Sequence, residues 1–232
     1  MSRTLNVVRM QLINRQTFIW IPLIILGGAV ALSIAVYAIL AAAGIDDVVK
    51  AGGAASAPLW YFVALGIGAL SYTFPFSQAM SVTRREFFLG TMLTAVGASA
   101  LLAILFILGG LIEQATHGWG LNGYIFYLDW IWVSGPLAAG FTYFSAAMLL
   151  FTTGFGFATV YKRFGPLGLT LTFLGLAVLL VAVLWVVAWS AAWVSAIEWI
   201  LTQGALGLAL WGLALTVVIA AASYLTLRRA VP

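Results

Sequence analysis

The sequence predicts an all-α membrane protein with six transmembrane helices and both termini in the cytoplasm. Three observations carry that prediction. Hydrophobic residues make up 64% of the 232-residue chain and charged residues only 7%, whereas soluble domains carry roughly 25% charged residues. A soluble fold of this length could not hide so much apolar surface, so lipid must solvate much of it. The apolar residues fall into six runs, each near the roughly 20 residues that a bilayer requires. The polar breaks between those runs alternate in charge, and only an even number of spans puts the like charges on one side.

Residues 3–17 carry Arg3, Arg9 and Arg15 among Leu5, Val8 and Leu12, which share a narrow helical face. This predicts an interfacial helix leading into the membrane. The first span is 18–43, with Pro22 near its first turn, where a missing N–H does little harm. Ala41-Ala42-Ala43 has the look of a signal-cleavage site. The apolar run before it is about 25 residues, against roughly 7–15 for a signal sequence, so the span is expected to be retained. Gly27, Ala31 and Ala35 form a small-residue stripe that would allow close helix packing in lipid.

A loop with Asp46, Asp47 and Lys50 leads to the second span, 58–80. Its second half is unusually polar, with Ser71, Tyr72, Thr73, Ser77 and Gln78, and Pro75 should kink or end the helix there. The polar groups are expected to bond within the kink, with a place along a substrate path as the sharper alternative. Thr83-x-x-Glu86 fits a capping box, so a helix should start at about Arg84 and run into the third span, 88–112. A separate short helix or turn would fill the gap between Pro75 and Thr83.

Residues 113–133 are rich in rings (Trp119, Tyr124, Phe126, Tyr127, Trp130, Trp132) and are expected to form an interfacial belt, or else a lid. Glu113 and His117 are four apart, but two ligands do not make a metal site, and a solvated loop is expected. Ser134 should cap the fourth span, 134–160, with Pro136 in its first turn. A basic turn with Lys162, Arg163 and Pro166 leads to the fifth span, 167–189. Residues 190–202 put Trp193, Ile197, Ile200 and Leu201 on one face and Ser195, Glu198 and Thr202 opposite. This predicts a short amphipathic or re-entrant extracellular helix before the sixth span, 206–227. The whole chain, 1–232, reads as one transmembrane domain.

In this arrangement Arg3, Arg9, Arg15, Arg84, Arg85, Lys162, Arg163, Arg228 and Arg229 share one side. Lys50, Asp46, Asp47, Glu113, Asp129 and Glu198 share the other. The positive-inside rule makes the arginine side cytoplasmic. Cysteine is absent, which excludes disulfides and thiolate metal sites. No glycine loop ends in Lys50 or Lys162, so the chain has no Walker A motif and is not expected to be an enzyme or to hold a cofactor. No charged residue lies mid-span, which argues against ion-coupled transport and a charged pore ring. Ser145, Thr152 and Thr153 are expected to bond helix carbonyls. No nucleic-acid partner is expected.

The whole plan resembles the membrane subunit of ABC-2 type exporters. The resemblance rests on six spans, a basic N-terminal segment, an amphipathic segment between spans five and six, and the break Thr83-Arg84-Arg85-Glu86-Phe87-Phe88-Leu89-Gly90-Thr91. That family often has glycine before the Val-Thr-Arg element, where this chain has Ser81. The resemblance implies a prokaryotic plasma (inner) membrane protein that pairs with a second membrane subunit, preferentially a copy of itself. Two cytoplasmic ATP-binding subunits would carry the Mg-ATP. Thr83, Arg84, Arg85, Glu86 and Phe87 would receive the ATPase motion, with Lys162 and Arg163 as a second cytoplasmic contact. The substrate path would lie between the membrane subunits, near spans one, two and five, and its apolar lining would suit a lipophilic or amphipathic cargo. A non-transporting docking, sensor or immunity protein and an ATP-independent facilitator remain alternative readings of the same six spans.

Overall fold

A computed structural model describes residues 3–13, 16–45 and 49–228. Arg15, Asp46, Asp47, Arg229 and the side chain of Arg3 lie outside the described residues. The chain is all-α. Among the described residues the one extended feature is a two-residue parallel pairing of β1 (Lys50–Ala51) with β2 (Gly123–Tyr124). The helices are α1 (Arg3–Ile13), α2 (Ile21–Ala42), α3 (Ser56–Ser71), α4 (Thr73–Ala79), α5 (Arg84–Ala115), α6 (Asp129–Trp132), α7 (Pro136–Trp189) and α8 (Trp193–Leu227). Among the described residues five helical runs are long and apolar enough to cross a membrane: Gln16–Ala42, Gly53–Ala79, Arg84–Ala115, Pro136–Trp189 and Trp193–Leu227. This is the make-up of a multi-pass membrane protein.

Two of these runs double back. Gly165 has φ 69° and ψ −169° inside α7, and Pro166 follows it. Glycine tolerates that backbone, and proline cannot continue the preceding helix. The rings of Phe157 and Phe173 then meet at 4.7 Å, whereas a straight helix would hold them about 24 Å apart. Gly204 (φ 60°) does the same in α8, bringing Trp199 and Trp211 to 6.0 Å between ring centroids. The short helix expected at 190–202 is therefore present, running from Trp193 to the break at Gly204. The helix expected to end near Val160 continues to the Gly165 turn.

The core is made by α3, α5 and the first limb of α7 (136–164). Gly66 and Gly154 let α3 and α7 touch backbone to backbone. A Cβ at Gly66 would lie 2.1 Å from the Phe151 carbonyl oxygen, and one at Gly154 would lie 2.1 Å from that of Val63. In lipid, close contact of this kind replaces the hydrophobic drive that water would supply. Phe106 packs edge-on to Tyr143 at 4.8 Å, and Phe88 lies between Phe155 and Tyr224. Ser145 donates to the Ala209 carbonyl at 2.6 Å, which ties this limb to α8. Thr152 and Thr153 donate to carbonyls of their own helix, as expected.

Two expectations, the Ser134 cap and the solvated Glu113, need correction. The stripe Gly27, Ala31, Ala35 is exposed, and a Cβ at Gly27 would meet nothing within 4 Å, so it packs against no helix among the described residues. Leu5 and Leu12 of the expected apolar face of α1 are exposed, while Val7 and Gln11 are buried against α5. The fourth span is capped by Gly135 (φ 90°), with Pro136 as its first residue, and Ser134 makes no cap bond. Glu113 is not solvated but fully buried in the last turn of α5.

The buried Glu113 explains the ring-rich segment. Its Oε1 accepts from Trp119 Nε1 and the Ile125 amide, both at 2.9 Å. Its Oε2 accepts from the amides of Phe126 and Tyr127, both at 2.8 Å. Gly109 and Gly110 leave room on α5 for the Phe126 and Trp132 rings. Trp132 Nε1 and the Tyr143 hydroxyl both donate to the Phe126 carbonyl, at 2.9 and 2.7 Å. Residues 118–132 thus form a folded cap on the bundle. Trp130 stays exposed, as a belt residue would, but Phe126 and Trp132 belong to the core.

Candidate functional site

The junction between α3 and α5 forms because proline and two caps act on one short segment. The helix breaks at Tyr72, ahead of the expected Pro75, since the ring of a proline clashes with the carbonyl four residues earlier, here Ser71. Pro75 itself sits in the first turn of α4 and loses no bond there. Thr73 donates to the Ala69 carbonyl, and Ser77 donates to that of Phe74 at 2.7 Å. The polar residues of this stretch therefore bond across the break and within α4, and Ser77 is fully buried.

α4 ends in a Schellman motif. The Val82 amide donates to the Ser77 carbonyl and the Ser81 amide to that of Gln78, both at 3.1 Å. Gln78 Nε2 donates in turn to the Val82 carbonyl at 3.1 Å. Ser81 takes the left-handed position, with φ 57°. A non-glycine residue pays roughly 1 kcal/mol for that conformation. Replacing Ser81 by Gly is expected to raise stability by about 1 kcal/mol, read as a higher midpoint in a thermal scan of the purified protein. An unchanged or lowered midpoint would contradict the left-handed turn.

α5 then starts without slack. Thr83 Oγ1 accepts from the Glu86 amide at 3.2 Å, and Glu86 Oε2 accepts from the Thr83 amide at 3.0 Å and its hydroxyl at 2.8 Å. This is the expected capping box, and the helix begins at Arg84. Phe87 is fully buried, edge-on to Phe74 at 5.1 Å, which locks α4 onto α5. Phe87 is therefore a packing residue of the junction and cannot touch a partner directly.

The two arginines have different surroundings. Arg84 Nη1 donates to the carbonyls of Leu227 and Arg228, at 3.2 and 2.7 Å. It binds the start of α5 to the end of α8, where free carbonyls and the helix dipole favour a cation. Arg85 is exposed. Arg163 stacks over Phe164, with 4.6 Å from Cζ to the ring centroid, and lines one cleft with Leu225, Thr226 and Arg228. Arg84, Arg163 and Arg228 thus gather at one end of the bundle. Glu113 sits about 43 Å away along α5, and Lys50 is at that far end too, donating to the Leu121 carbonyl at 3.0 Å.

α1 braces the junction from outside. A Cβ at Gly90 would lie 2.6 Å from the Val7 Cβ, so the two helices cross closely at that point. Gln11 is 1% exposed, and its Nε2 donates to Thr91 Oγ1 at 2.8 Å and Thr73 Oγ1 at 3.4 Å. Its Oε1 is buried with no partner, at a cost of about 1–3 kcal/mol. Between α1, the helical turn Gln16–Trp20 and α3 runs a groove of about 530 Å³, lined by Gln11, Tyr61, Ser71, Tyr72 and Thr73 among others. Ser71 and Tyr72 of the expected path line this groove, whereas Pro75 and Ser77 do not.

Among the described residues no cluster of acidic or histidine side chains could hold a metal, and His117 is exposed in a left-handed turn. Comparison with family models, with curated proteins and with solved structures gives no match.

Proposed function

We propose that the chain is the transmembrane subunit of an ATP-driven exporter, moved by a separate ATP-binding subunit that docks at the α4–α5 junction. The observation that supports this best is the construction of the junction. It is a short helix locked at both ends, by a Schellman motif and a capping box, and joined through Phe74 and Phe87 to the longest unbroken helix, α5. A push on α4 would therefore pass into α3 and α5 together instead of being absorbed by a flexible loop.

In this reading the two halves of α7 and the second limb of α8 are separate crossings, which makes six spans. The gathered Arg84, Arg163 and Arg228 mark the cytoplasmic end. Thr83 and Glu86 hold the junction rigid, Arg84 ties it to α8, and Arg85 is the residue that meets the partner. Lys162 and Arg163 form the second contact. A second copy of the chain would cover α2 with its exposed Gly27, Ala31 and Ala35, and the limb 166–189, which is exposed along nearly all its length. The cargo is lipophilic or amphipathic, and the Mg-ATP sits on the partner.

The test is affinity isolation of the tagged chain from native membranes. A protein bearing a Walker A motif should co-purify in about equal amount, and Mg-ATP hydrolysis should be found in the complex but not in the chain alone. Recovery of the chain without any nucleotide-binding protein would overturn the proposal.

A further inference from the structure

The cleft between the turn of α7 and the end of α8 carries positive charge that its own surroundings leave unanswered. It is about 430 Å³ in volume and is lined by Arg163, Leu225, Thr226 and Arg228. Each guanidinium lies against a ring, Arg163 over Phe164 at 4.6 Å and Arg228 over Tyr224 at 5.9 Å. A ring takes the flat face of a guanidinium and leaves the N–H edge to donate elsewhere. Among the described residues no carboxylate or other acceptor takes up those N–H groups. The carbonyls at the end of α8 would repel an anion, but Arg84 donates to those of Leu227 and Arg228 and so offsets them.

Beside the arginines the cleft runs into an apolar flank. Val218, Ala221 and Leu225 are three and four residues apart on α8, so they share a helical face, and all three are exposed. Arg228 stands three residues beyond Leu225 and continues that face. Charge and strip together select the occupant. Two arginines with N–H edges to donate suit a phosphate, which a guanidinium can grip bidentately. The strip that starts at Leu225 suits an acyl chain, and a water-soluble subunit would leave it bare. A second copy of the chain brings no match for the charge. Of the described acidic residues only Glu86 lies at this end, and its carboxylate is held in the capping box.

We propose that this cleft binds the phosphate headgroup of an anionic phospholipid, with one acyl chain along Leu225, Ala221 and Val218. The site is complete within one copy and does not rest on the exporter reading. Lys162, which does not line the cleft, stays available to a partner.

The test is native mass spectrometry of the full chain, titrated in detergent with phosphatidylglycerol or with phosphatidylcholine of the same acyl chains. The first phosphatidylglycerol is expected to bind at least about tenfold more tightly than phosphatidylcholine, the share of two arginines at a membrane surface. Arg163→Gln combined with Arg228→Gln should erase that preference. Arg9→Gln, which removes a charge from α1 outside the cleft, should leave it in place. Arg163→Lys combined with Arg228→Lys keeps the charge but loses the planar fork, and should lower the preference severalfold. Binding of phosphatidylcholine, equal across the variants, reports that each is folded. A preference that survives the double Gln variant, or that falls as far in Arg9→Gln, would overturn the site in favour of diffuse charge. Full preference in the double Lys variant would overturn the bidentate grip. Displacement of the lipid by an equal concentration of glycerophosphate would show that phosphate alone is recognised, and would overturn the acyl contact.

Discussion

Replacing Gly154 by Val is expected to be the most damaging single change in the bundle, costing about 3 kcal/mol or more. The added Cβ alone would sit 2.1 Å from the Val63 carbonyl oxygen and 3.0 Å from the Val63 Cα. Overpacked cores usually cost 1–3 kcal/mol because side chains yield. Here the opposing atoms are backbone, and a shift must move α3 as a whole. Gly66 meets α7 from the other side, 2.1 Å from the Phe151 carbonyl, so the pair acts as one contact. Yield of monodisperse protein and the midpoint of a thermal scan measure the effect. Gly175→Ala is the control. That glycine has nothing within 4 Å, and alanine there should gain stability through helix propensity, by up to about 1 kcal/mol. Equal loss in both variants would point to a general intolerance of the fold and not to the α3–α7 contact.

Glu113→Ala should have the second largest effect, and a local one. The substitution strands three consecutive amides, at Ile125, Phe126 and Tyr127, together with Trp119 Nε1. Each buried donor left without an acceptor costs about 1–3 kcal/mol, but the cap can relieve that cost by opening to water. The expected outcome is release of residues 118–128 while the helices hold. Hydrogen exchange would show the amides of 125–127 losing protection by at least about a hundredfold, with α5 and α7 unchanged. Glu113→Gln should fall between the two, since one carboxyl oxygen becomes an NH₂ that faces donors. Unchanged protection at 125–127 in Glu113→Ala would mean that the ring contacts alone hold the cap.

The sequence was legible wherever structure is set by neighbours in the chain. Thr83 and Glu86 announce a helix start because both halves of the capping box lie within one turn. Gly165-Pro166 announces a turn because the φ of one residue and the missing N–H of the next decide it. Among the described residues Arg84, Arg163 and Arg228 share one end of the bundle, as the charge pattern suggested they would. What was not legible depends on partners far along the chain. Nothing local marks Glu113 as the acceptor for amides 12 to 14 residues away, although Gly109-Gly110 beside it was a sign that something packs closely there. Ser81 was noted as a departure from glycine, and the structure places it at the one left-handed position of the junction.

The α1 face and the α2 stripe follow one rule of packing in lipid. In water, apolar periodicity points inward, because burial is the drive. A bilayer is as apolar as leucine, so packing selects small and polar residues instead. The inward side of α1 accordingly carries Gln11 beside Val7, and the closest helix contact uses Gly66 and Gly154. The same reasoning leaves Gly27, Ala31 and Ala35 without a partner in this chain. A small-residue stripe shows that a helix can be approached closely, but not which helix approaches it.

The central claim is that a separate ATP-binding subunit pushes on the α4–α5 junction, and the absence of cysteine makes a direct test simple. Arg85→Cys places a single thiol at the exposed start of α5, and His117→Cys places one at the opposite end of that helix. Each variant would be treated in native membranes with a short bifunctional thiol–amine reagent, and the adducts identified by mass spectrometry. The account predicts an adduct between position 85 and a protein with a Walker A motif, whose yield changes on adding Mg-ATP, and none from position 117. An adduct with that protein from position 117, or none from position 85 while other cytoplasmic proteins react there, would contradict it.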